Sequence, residues 1–252
     1  MGLALLAYLG VRFFTQGDVA TAHRNARQLL NFQKALGLDL ELGVQSLFLD
    51  DHGIITLANW IYIWGYWPLL AGTLIYLGAR HRRTFFELRN AMFISGAIGL
   101  VIFATYAVAP PRLFSSQYVD TVTEFSFFYR VAQPPSLANE YAAVPSFHFG
   151  WTLLVAIAWY RVTRNTTLRY AAFAMPAAMA FAVVVTANHW ILDVVAGALV
   201  SLTGFGIEYF RTRLFPPFGS SRLARAIAHR PEELVIRIDA TDEHRNRRQH
   251  HR

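Results

Sequence analysis

The chain has 252 residues, of which 54% are hydrophobic and 15% are charged, and it contains no cysteine. Soluble domains carry about 25% charged residues, so this composition argues against a soluble protein, and the missing cysteines exclude disulfides and thiolate chemistry. The net charge of +7 comes almost entirely from arginine, since Lys34 is the only lysine. In a chain this apolar, an arginine excess indicates orientation in a membrane rather than binding to nucleic acid.

Long apolar runs predict an all-α, polytopic transmembrane bundle of about six spans, because a helix crosses the bilayer in roughly 20 apolar residues and satisfies its own backbone. The predicted spans are 1–14 (a short one), 54–79, 91–109, 147–160, 170–187 and 190–210.

Between the first two spans, apolar residues recur at helical spacing over 18–50 with histidine and arginine among them, which predicts an amphipathic helix lying on the membrane. The chain therefore divides into an N-terminal part at 1–52, a membrane core at 53–213 and a basic tail at 214–252.

Arginines orient the predicted spans, because they cluster at 80–83, 161–169 and 211–213. The positive-inside rule makes that side cytoplasmic, and the tail with it. Since spans alternate in direction, the extracytoplasmic side holds the polar loop 112–141 and the junction at 188–190. We expect an integral protein of a bacterial-type plasma membrane.

Three polar elements meet on the extracytoplasmic side: Arg112 in APPRL, His148 in PSFH, and His189 with Asp193 in NHWILD. His189 and Asp193 are four residues apart, so on a helix they share one face and the carboxylate can orient the imidazole. Such a pair can also simply satisfy itself inside a bundle, but ionisable residues within a membrane generally mark functional sites.

Each of the other two elements has a plain structural reading. An arginine at the end of a span usually extends to the headgroups, and Ser146 suits the cap of the next helix. Together, however, two imidazoles, a carboxylate and a guanidinium suit the binding and cleavage of a phosphate ester. A helix N-terminus near Ser146 adds backbone N–H donors for the anion.

These motifs resemble those of the type-2 phosphatidic acid phosphatase superfamily, whose members are membrane lipid phosphatases and phosphotransferases. PSFH (145–148) is similar to its second motif, usually Pro-Ser-Gly-His, and HWILD (189–193) to its third, which ends in His-x-x-x-Asp. The resemblance spans residues 53–210 and implies that 53–213 is a phosphatase-like catalytic core.

The chain departs from the superfamily pattern at several positions. The usual first motif pairs a lysine with a later Arg-Pro, but Lys34 lies far upstream and Arg112 follows its prolines. Ala182 and Val183 stand where Ser-Arg is usual, and Phe147 where glycine is usual. These departures resemble the inositol phosphorylceramide synthase-like branch, whose members transfer a phospho-headgroup to an alcohol.

The resemblance implies a division of roles. His189 attacks phosphorus and forms a phosphohistidine, Asp193 orients His189, and His148 protonates the leaving alkoxide and then deprotonates the incoming water or alcohol. Arg112 binds phosphate oxygens. The residues predicted to complete the anion pocket are Ser146, Asn188, Asn139 and Tyr141.

The implied partners are a lipid phosphate or phosphodiester, an alcohol acceptor and membrane lipids, without nucleic acid, metal or cofactor; the oligomeric state is left open. Three alternatives remain. One is a simple phosphatase of polyprenyl or phosphatidyl phosphates. The second is a lipid transporter, although charges gathered at one face favour an enzyme. The third is a zinc site formed by His148, His189 and Asp193.

Aromatic residues are concentrated in the predicted span 54–79, near its extracytoplasmic end. They either line a lipid or sugar site or form an interfacial aromatic belt. The residues are Trp60, Tyr62, Trp64, Tyr66 and Trp67.

Overall fold

The structure is a computed structural model, and it describes residues 19–125 and 140–214. The predicted span at 1–14 and the tail beyond Leu214 lie outside the described residues. Within the described ranges every regular element is helical, and the one strand-like pairing is a parallel bridge between Val108 and Ala142. The predicted all-α class is therefore confirmed for this part of the chain.

The chain divides into two compact units, Met1–Glu208 and Tyr209–Arg252. The first unit carries all the candidate site residues discussed below that the structure describes. In the second, the described residues form the last turn of a helix, where the guanidinium of Arg213 lies 4.4 Å from the ring centre of Tyr209.

The N-terminal segment forms two helices, α1 (Val19–Ala35) and α2 (Glu41–Phe48), instead of the single helix expected over 18–50. The break occurs at Gly37, whose φ of 68° suits glycine. The amides of Gly37 and Leu38 donate to the carbonyls of Lys34 and Gln33, which closes the end of α1 as a Schellman motif.

The apolar stripe of α1 packs on protein, whereas the sequence predicted that it lies on the membrane. Ala22, Ala26 and Leu29 are buried in one cluster with Val108 and Trp190. The reason is that this face also carries buried polar side chains of α1, which bond to other parts of the chain and could not do so in lipid.

The next predicted span, 54–79, corresponds to three helical segments that follow one another without a gap: α3 (His52–Trp60), a π-helical turn (Ile61–Gly65) and α4 (Tyr66–Arg80). The side chain of Asp51 caps this run by accepting from the amide of Ile54 at 3.0 Å. A π-helical turn inside an α-helix is often found at a functional site.

Helix α5 (Arg82–Thr105) begins nine residues before the predicted span 91–109. Its charged first turns are stabilised by the buried carboxylate of Glu87, which pairs with Arg83 at 3.0 Å and with Arg161 at 2.6 Å. This pairing puts the arginines at 80–83 and at 161 on the same face of the bundle, as the sequence predicted. Two short helices follow, α6 (Pro111–Phe114) and α7 (Thr121–Phe125).

The remaining helices are α8 (Phe147–Val162), α9 (Thr166–Ala171), α10 (Ala174–Val185) and α11 (Ile191–Leu214). The predicted span 170–187 is interrupted between α9 and α10. Pro176 lies in the first turn of α10, where its missing N–H costs no helical hydrogen bond.

Three helical stretches are long and apolar enough to cross a membrane: Arg82–Thr105, Thr166–Val185 and Ile191–Leu214. They agree with a membrane protein, while a total of about six spans stays a prediction. The main core lies between α4, α5, α8 and α10 and includes Leu77, Leu88, Leu154 and Met179.

Small residues bring α11 close to its neighbours. Gly197 lies directly against the carbonyl of Ser146, and Gly150 of α8 lies against the side chain of Ser201 and the carbonyl of Gly197. Gly204 contacts the backbone of α5 in the same way, at the carbonyl of Ala91. Packing of this kind stabilises helix pairs in membranes, where burial of apolar side chains gives little driving force.

This close packing predicts that Gly197→Ala destabilises the protein, because an added methyl group overlaps the carbonyl oxygen of Ser146. We expect a loss of about 1–3 kcal/mol and a Tm lower by about 2–12 °C in detergent. Gly206→Ala in the same helix is the control, since a methyl group there meets no atom of another described segment within 4 Å. Equal Tm shifts for the two variants would contradict the packing argument.

Candidate active site

The turn between α10 and α11 presents the first candidate residue, His189. The amide of Ala187 donates to the carbonyl of Val184, and the amide of Asn188 donates to that of Val183, so α10 ends in a Schellman motif. Ala187 occupies the left-handed position of this motif, with φ of 53°. Glycine is usual there, and its absence hid the type of turn, although the sequence predicted a junction between spans at 188–190.

His189 is buried and its Nδ1 atom has two acceptors. The carbonyl oxygen of Ala143 lies at 2.9 Å and the Oδ2 atom of Asp193 at 3.3 Å. Both acceptors favour the tautomer that carries its proton on Nδ1, which leaves Nε2 with a lone pair. The predicted pairing of His189 with Asp193 is present, but the nearer partner is a backbone carbonyl that residue spacing does not reveal.

The segment before α8 is attached to the start of α11. The amide of Ser146 donates to the carbonyl of Asp193 at 3.0 Å. The segment is also attached to the residues after α5, because the amide of Val108 donates to the carbonyl of Tyr141 at 2.8 Å. These bonds hold Ala143 next to His189.

The N-terminus of α8 has open backbone donors. Among the described residues, the N–H groups of Phe147, His148 and Phe149 have no hydrogen-bond partner, and the first backbone bond of the helix is donated by Gly150 to Ser146. The hydroxyl of Ser146 is fully buried and likewise lacks a partner within the described ranges. This arrangement suits an anion, as the sequence predicted for this helix end.

His148 lies between two tyrosines of the neighbouring helical run. Its ring centre is 4.5 Å from those of both Tyr62 and Tyr66, and 6.1 Å from that of His189. Tyr62 belongs to the π-helical turn and Tyr66 begins α4. The two candidate histidines are therefore neighbours, and the π-helical turn and the first residue of α4 each supply one ring beside His148.

Arg112 is attached to the same turn as His189. Its amide donates to the carbonyl of Ala187 at 3.0 Å. Its guanidinium pairs with Asp120, with Nε and Oδ2 3.3 Å apart and 14% of the arginine side chain exposed. Asp120 also accepts from the amide and hydroxyl of Thr123 and so caps α7.

The other predicted pocket residues divide into three cases. The side-chain amide of Asn188 donates to the carbonyl and hydroxyl oxygens of Thr186, so it stabilises the turn. The backbone of Tyr141 takes part in the bridge to Val108, and its side chain packs beside the buried cluster of α1. Asn139 lies outside the described residues.

Phe147, which replaces the usual glycine, packs against α5. Its ring fills a notch on α5 left by Gly99 and also contacts Phe103 and Trp151. The substitution therefore contributes to the packing of α8 on α5.

Sequence reasoning missed several residues that hold the site together. Trp190 is fully buried, donates from Nε1 to the carbonyl of Ala109 at 2.9 Å, and contacts the rings of Phe114 and Tyr118. Tyr106 follows α5 and packs beside the buried cluster that contains Trp190. Tyr62 and Tyr66, whose rings lie beside His148, are four residues apart in the sequence. That spacing was the one sequence pattern that could have indicated a shared helix face at the site.

No group of three or more histidine, aspartate or glutamate side chains that could hold a metal is found in residues 19–125 and 140–214. Within those ranges His148, His189 and Asp193 thus do not form the three-ligand cluster that the zinc alternative requires.

Comparison with known families gives one match. A family model described as the PAP2 superfamily matches residues 27–207, which is well over half of the chain. No curated protein and no solved structure matches the chain significantly. The matched region includes the turn at His189, the segment before α8, and Arg112.

The pairing of Arg112 with Asp120 predicts how the site responds to an anion. A carboxylate next to the guanidinium repels a bound phosphate, so we expect Asp120→Asn to raise the affinity for inorganic phosphate about 3- to 10-fold. Asparagine also caps helices, so α7 is retained. Arg112→Leu should remove the binding. Calorimetry on the detergent-solubilised protein measures both.

The matched control is Arg83→Leu, which removes an exposed arginine at the start of α5. It should bind phosphate as the unmodified protein does. Unchanged affinity in Arg112→Leu, or weaker binding in Asp120→Asn, would contradict the assignment of Arg112 to the anion site.

Proposed function

The chain belongs to the PAP2 superfamily, and we propose that it cleaves a lipid phosphoester through a phosphohistidine formed on His189. The match supports a phosphatase-type membrane enzyme. The observation that carries the specific proposal is the fixed Nδ1 atom of His189, which has acceptors at 2.9 and 3.3 Å and so leaves Nε2 available as a nucleophile.

In the first half-reaction Nε2 of His189 forms a bond to phosphorus while the bond from phosphorus to the alkoxide oxygen breaks. The alkoxide takes a proton from His148, whose ring centre lies 6.1 Å from that of His189. The carboxylate of Asp193 stabilises the positive charge that develops on His189. In the second half-reaction His148 removes a proton from the acceptor as it attacks phosphorus, and His189 leaves.

The phosphate oxygens bind the guanidinium of Arg112 and the open N–H groups of α8. Arginine matches phosphate geometry through paired donors, and unpartnered amides at a helix N-terminus favour an anion. The buried hydroxyl of Ser146 adds one further donor. These groups stabilise the negative charge that the phosphate oxygens carry in the transition state.

We propose that the reaction takes place on the extracytoplasmic side. The site lies at the C-terminal end of α5 and at the N-terminal ends of α8 and α11. The arginines that the positive-inside rule assigns to the cytoplasm lie at the opposite ends of these helices. By the same rule the basic tail is cytoplasmic, and a bacterial-type plasma membrane is the proposed location.

The proposed acceptor is an alcohol, which makes the enzyme a phosphotransferase of the kind that resembles inositol phosphorylceramide synthases. The support comes from the sequence, in which the lysine of the usual first motif is absent and Ala182 and Val183 replace the usual Ser-Arg. Attack by water on the same phosphohistidine gives the simpler alternative, a lipid phosphate phosphatase.

The two histidines are expected to respond differently to mutation. His189→Ala should leave no measurable turnover, because the nucleophile is gone. His148→Ala should lose about 10²- to 10⁴-fold on an alkyl phosphate but much less on a nitrophenyl phosphate, whose leaving group needs little protonation. Initial rates of both variants on both substrates test this.

His81→Ala is the control for these variants, since His81 lies at the other end of the bundle, between α4 and α5. It should keep the rates of the unmodified enzyme. Full activity of His189→Ala on the alkyl phosphate would exclude the phosphohistidine mechanism.

A panel of lipid phosphates and phosphodiesters distinguishes transfer from hydrolysis. The purified enzyme is incubated in mixed micelles with each lipid, with and without a lipid alcohol such as a diacylglycerol or a ceramide. With a phosphodiester donor we expect a new phosphodiester lipid when the lipid alcohol is present, because the phospho-headgroup stays on His189 and the alcohol competes with water for it. Release of phosphate or of the free phospho-headgroup alone would identify a hydrolase. Movement of labelled lipid across vesicles that survives His189→Ala would favour a transporter.

A further inference from the structure

Helix α11 begins inside the protein, and its first N–H groups are all bonded to side chains or to the preceding turn. The amide of Trp190 donates to Oδ2 of Asp193 at 2.8 Å. The amide of Ile191 donates to Oε1 of Glu41 at 2.8 Å, and that of Leu192 to Oε1 of Gln33 at 3.0 Å. Unlike α8, this helix therefore has no open donor at its start.

Gln33 and Glu41 come from the two N-terminal helices, α1 and α2. They are 0% and 1% exposed and are joined to each other, since Nε2 of Gln33 donates to Oε1 of Glu41 at 2.6 Å. Burying a carboxylate and an amide is costly unless they are hydrogen-bonded. The Oε1 atoms of Glu41 and Gln33 accept from two backbone donors that are 150 and 159 residues away along the chain, while Oε2 of Glu41 is buried without a partner among the described residues.

We propose that Gln33 and Glu41 are positioning residues of the active site, and the proposal rests on the proposed function of His189 and Asp193. Their two bonds fix the backbone of Ile191 and Leu192, two of the three residues that join His189 to Asp193. The carboxylate of Asp193 binds the amide of Trp190 and Nδ1 of His189 through one oxygen, Oδ2. A shift of this helix start therefore changes the orientation of the nucleophile directly.

The same bonds decide where the anion binds. Two helix N-termini, those of α8 and α11, lie beside the histidines, and an open N-terminus attracts phosphate. Gln33 and Glu41 occupy the donors of α11, so the donors of α8 are the ones left for the substrate. The N-terminal segment thus contributes to the site although it carries none of the reacting groups.

A similar pair at the far end of α11 provides a matched control. The side-chain amide of Asn90 donates to Oε1 of Glu208, which is 1% exposed, at 3.0 Å. Glu208 lies 17 residues after Ile191, a distance of about 25 Å along a helix. The two amide–carboxylate pairs hold the same helix, but only one of them is next to His189.

The test compares Gln33→Met with Asn90→Leu in the steady state. Methionine matches the length of glutamine, so the core stays filled while both hydrogen bonds are lost. We expect kcat to fall about 10- to 100-fold in Gln33→Met, because a displacement near 1 Å has an effect of that size, with KM within about three-fold of the unmodified value. Asn90→Leu should keep kcat within about two-fold, even if its Tm falls equally.

Glu41 gives a second, independent comparison if Gln33→Met yields too little folded protein. Glu41→Gln keeps the oxygen that accepts from Ile191 and should restore most of the kcat that Glu41→Leu loses. Unchanged kcat in both Gln33→Met and Glu41→Leu overturns the proposal. So does an equal loss of kcat in Asn90→Leu, because that result indicates a general loss of stability.

A measurement without substrate separates this proposal from the proposed function. Nitrogen NMR of ¹⁵N-histidine-labelled protein, with the signal of His189 assigned through His189→Gln, reports which ring nitrogen carries the proton. We expect one tautomer, protonated on Nδ1, in the unmodified protein and a mixture in Gln33→Met. A single unchanged tautomer in Gln33→Met overturns the positioning role. A mixture in Gln33→Met, with no turnover of any lipid phosphate by the unmodified protein, overturns the proposed function alone.

Discussion

The hydrogen bond between Nδ1 of His189 and the carbonyl oxygen of Ala143 is the contact on which the rest of the site depends. It joins the turn after α10 to the segment before α8, and it leaves Nε2 as the free nitrogen of a buried imidazole. Asp193 adds a second acceptor at 3.3 Å. Every other feature of the site either brings these two segments together or uses the nitrogen that they leave free.

The bundle holds those segments together through backbone contacts that small residues permit. Gly197 and Gly150 let α8 and α11 approach until backbone meets backbone, and the amide of Ser146 then reaches the carbonyl of Asp193. Larger residues at these positions would separate the two motifs. In a lipid environment such close packing, together with hydrogen bonds, replaces much of the stabilisation that apolar burial supplies in water.

The N-termini of α8 and α11, which both lie beside the histidines, differ in whether their first backbone N–H groups are hydrogen-bonded. The start of α11 is closed by Asp193, Gln33 and Glu41, whereas the first amides of α8 have no partner among the described residues. Because partial charges at helix N-termini are similar, it is the side chains around each end that decide which one can receive an anion. This asymmetry is the basis of the role proposed for α1 and α2, which their composition alone does not suggest.

The sequence by itself determined the helical class and the pairing of His189 with Asp193, because hydropathy and four-residue spacing are local properties. The placing of His148 beside that pair was predicted from the side of the membrane assigned to each motif and from the resemblance to the superfamily. The tertiary structure alone decided that Ala143 is the nearest partner of His189 and that the stripe of α1 is covered by protein. It also decided the bonds of Gln33 and Glu41 to α11. These are contacts between residues far apart in the chain, or to backbone atoms that every residue has, so no pattern of side chains could reveal them.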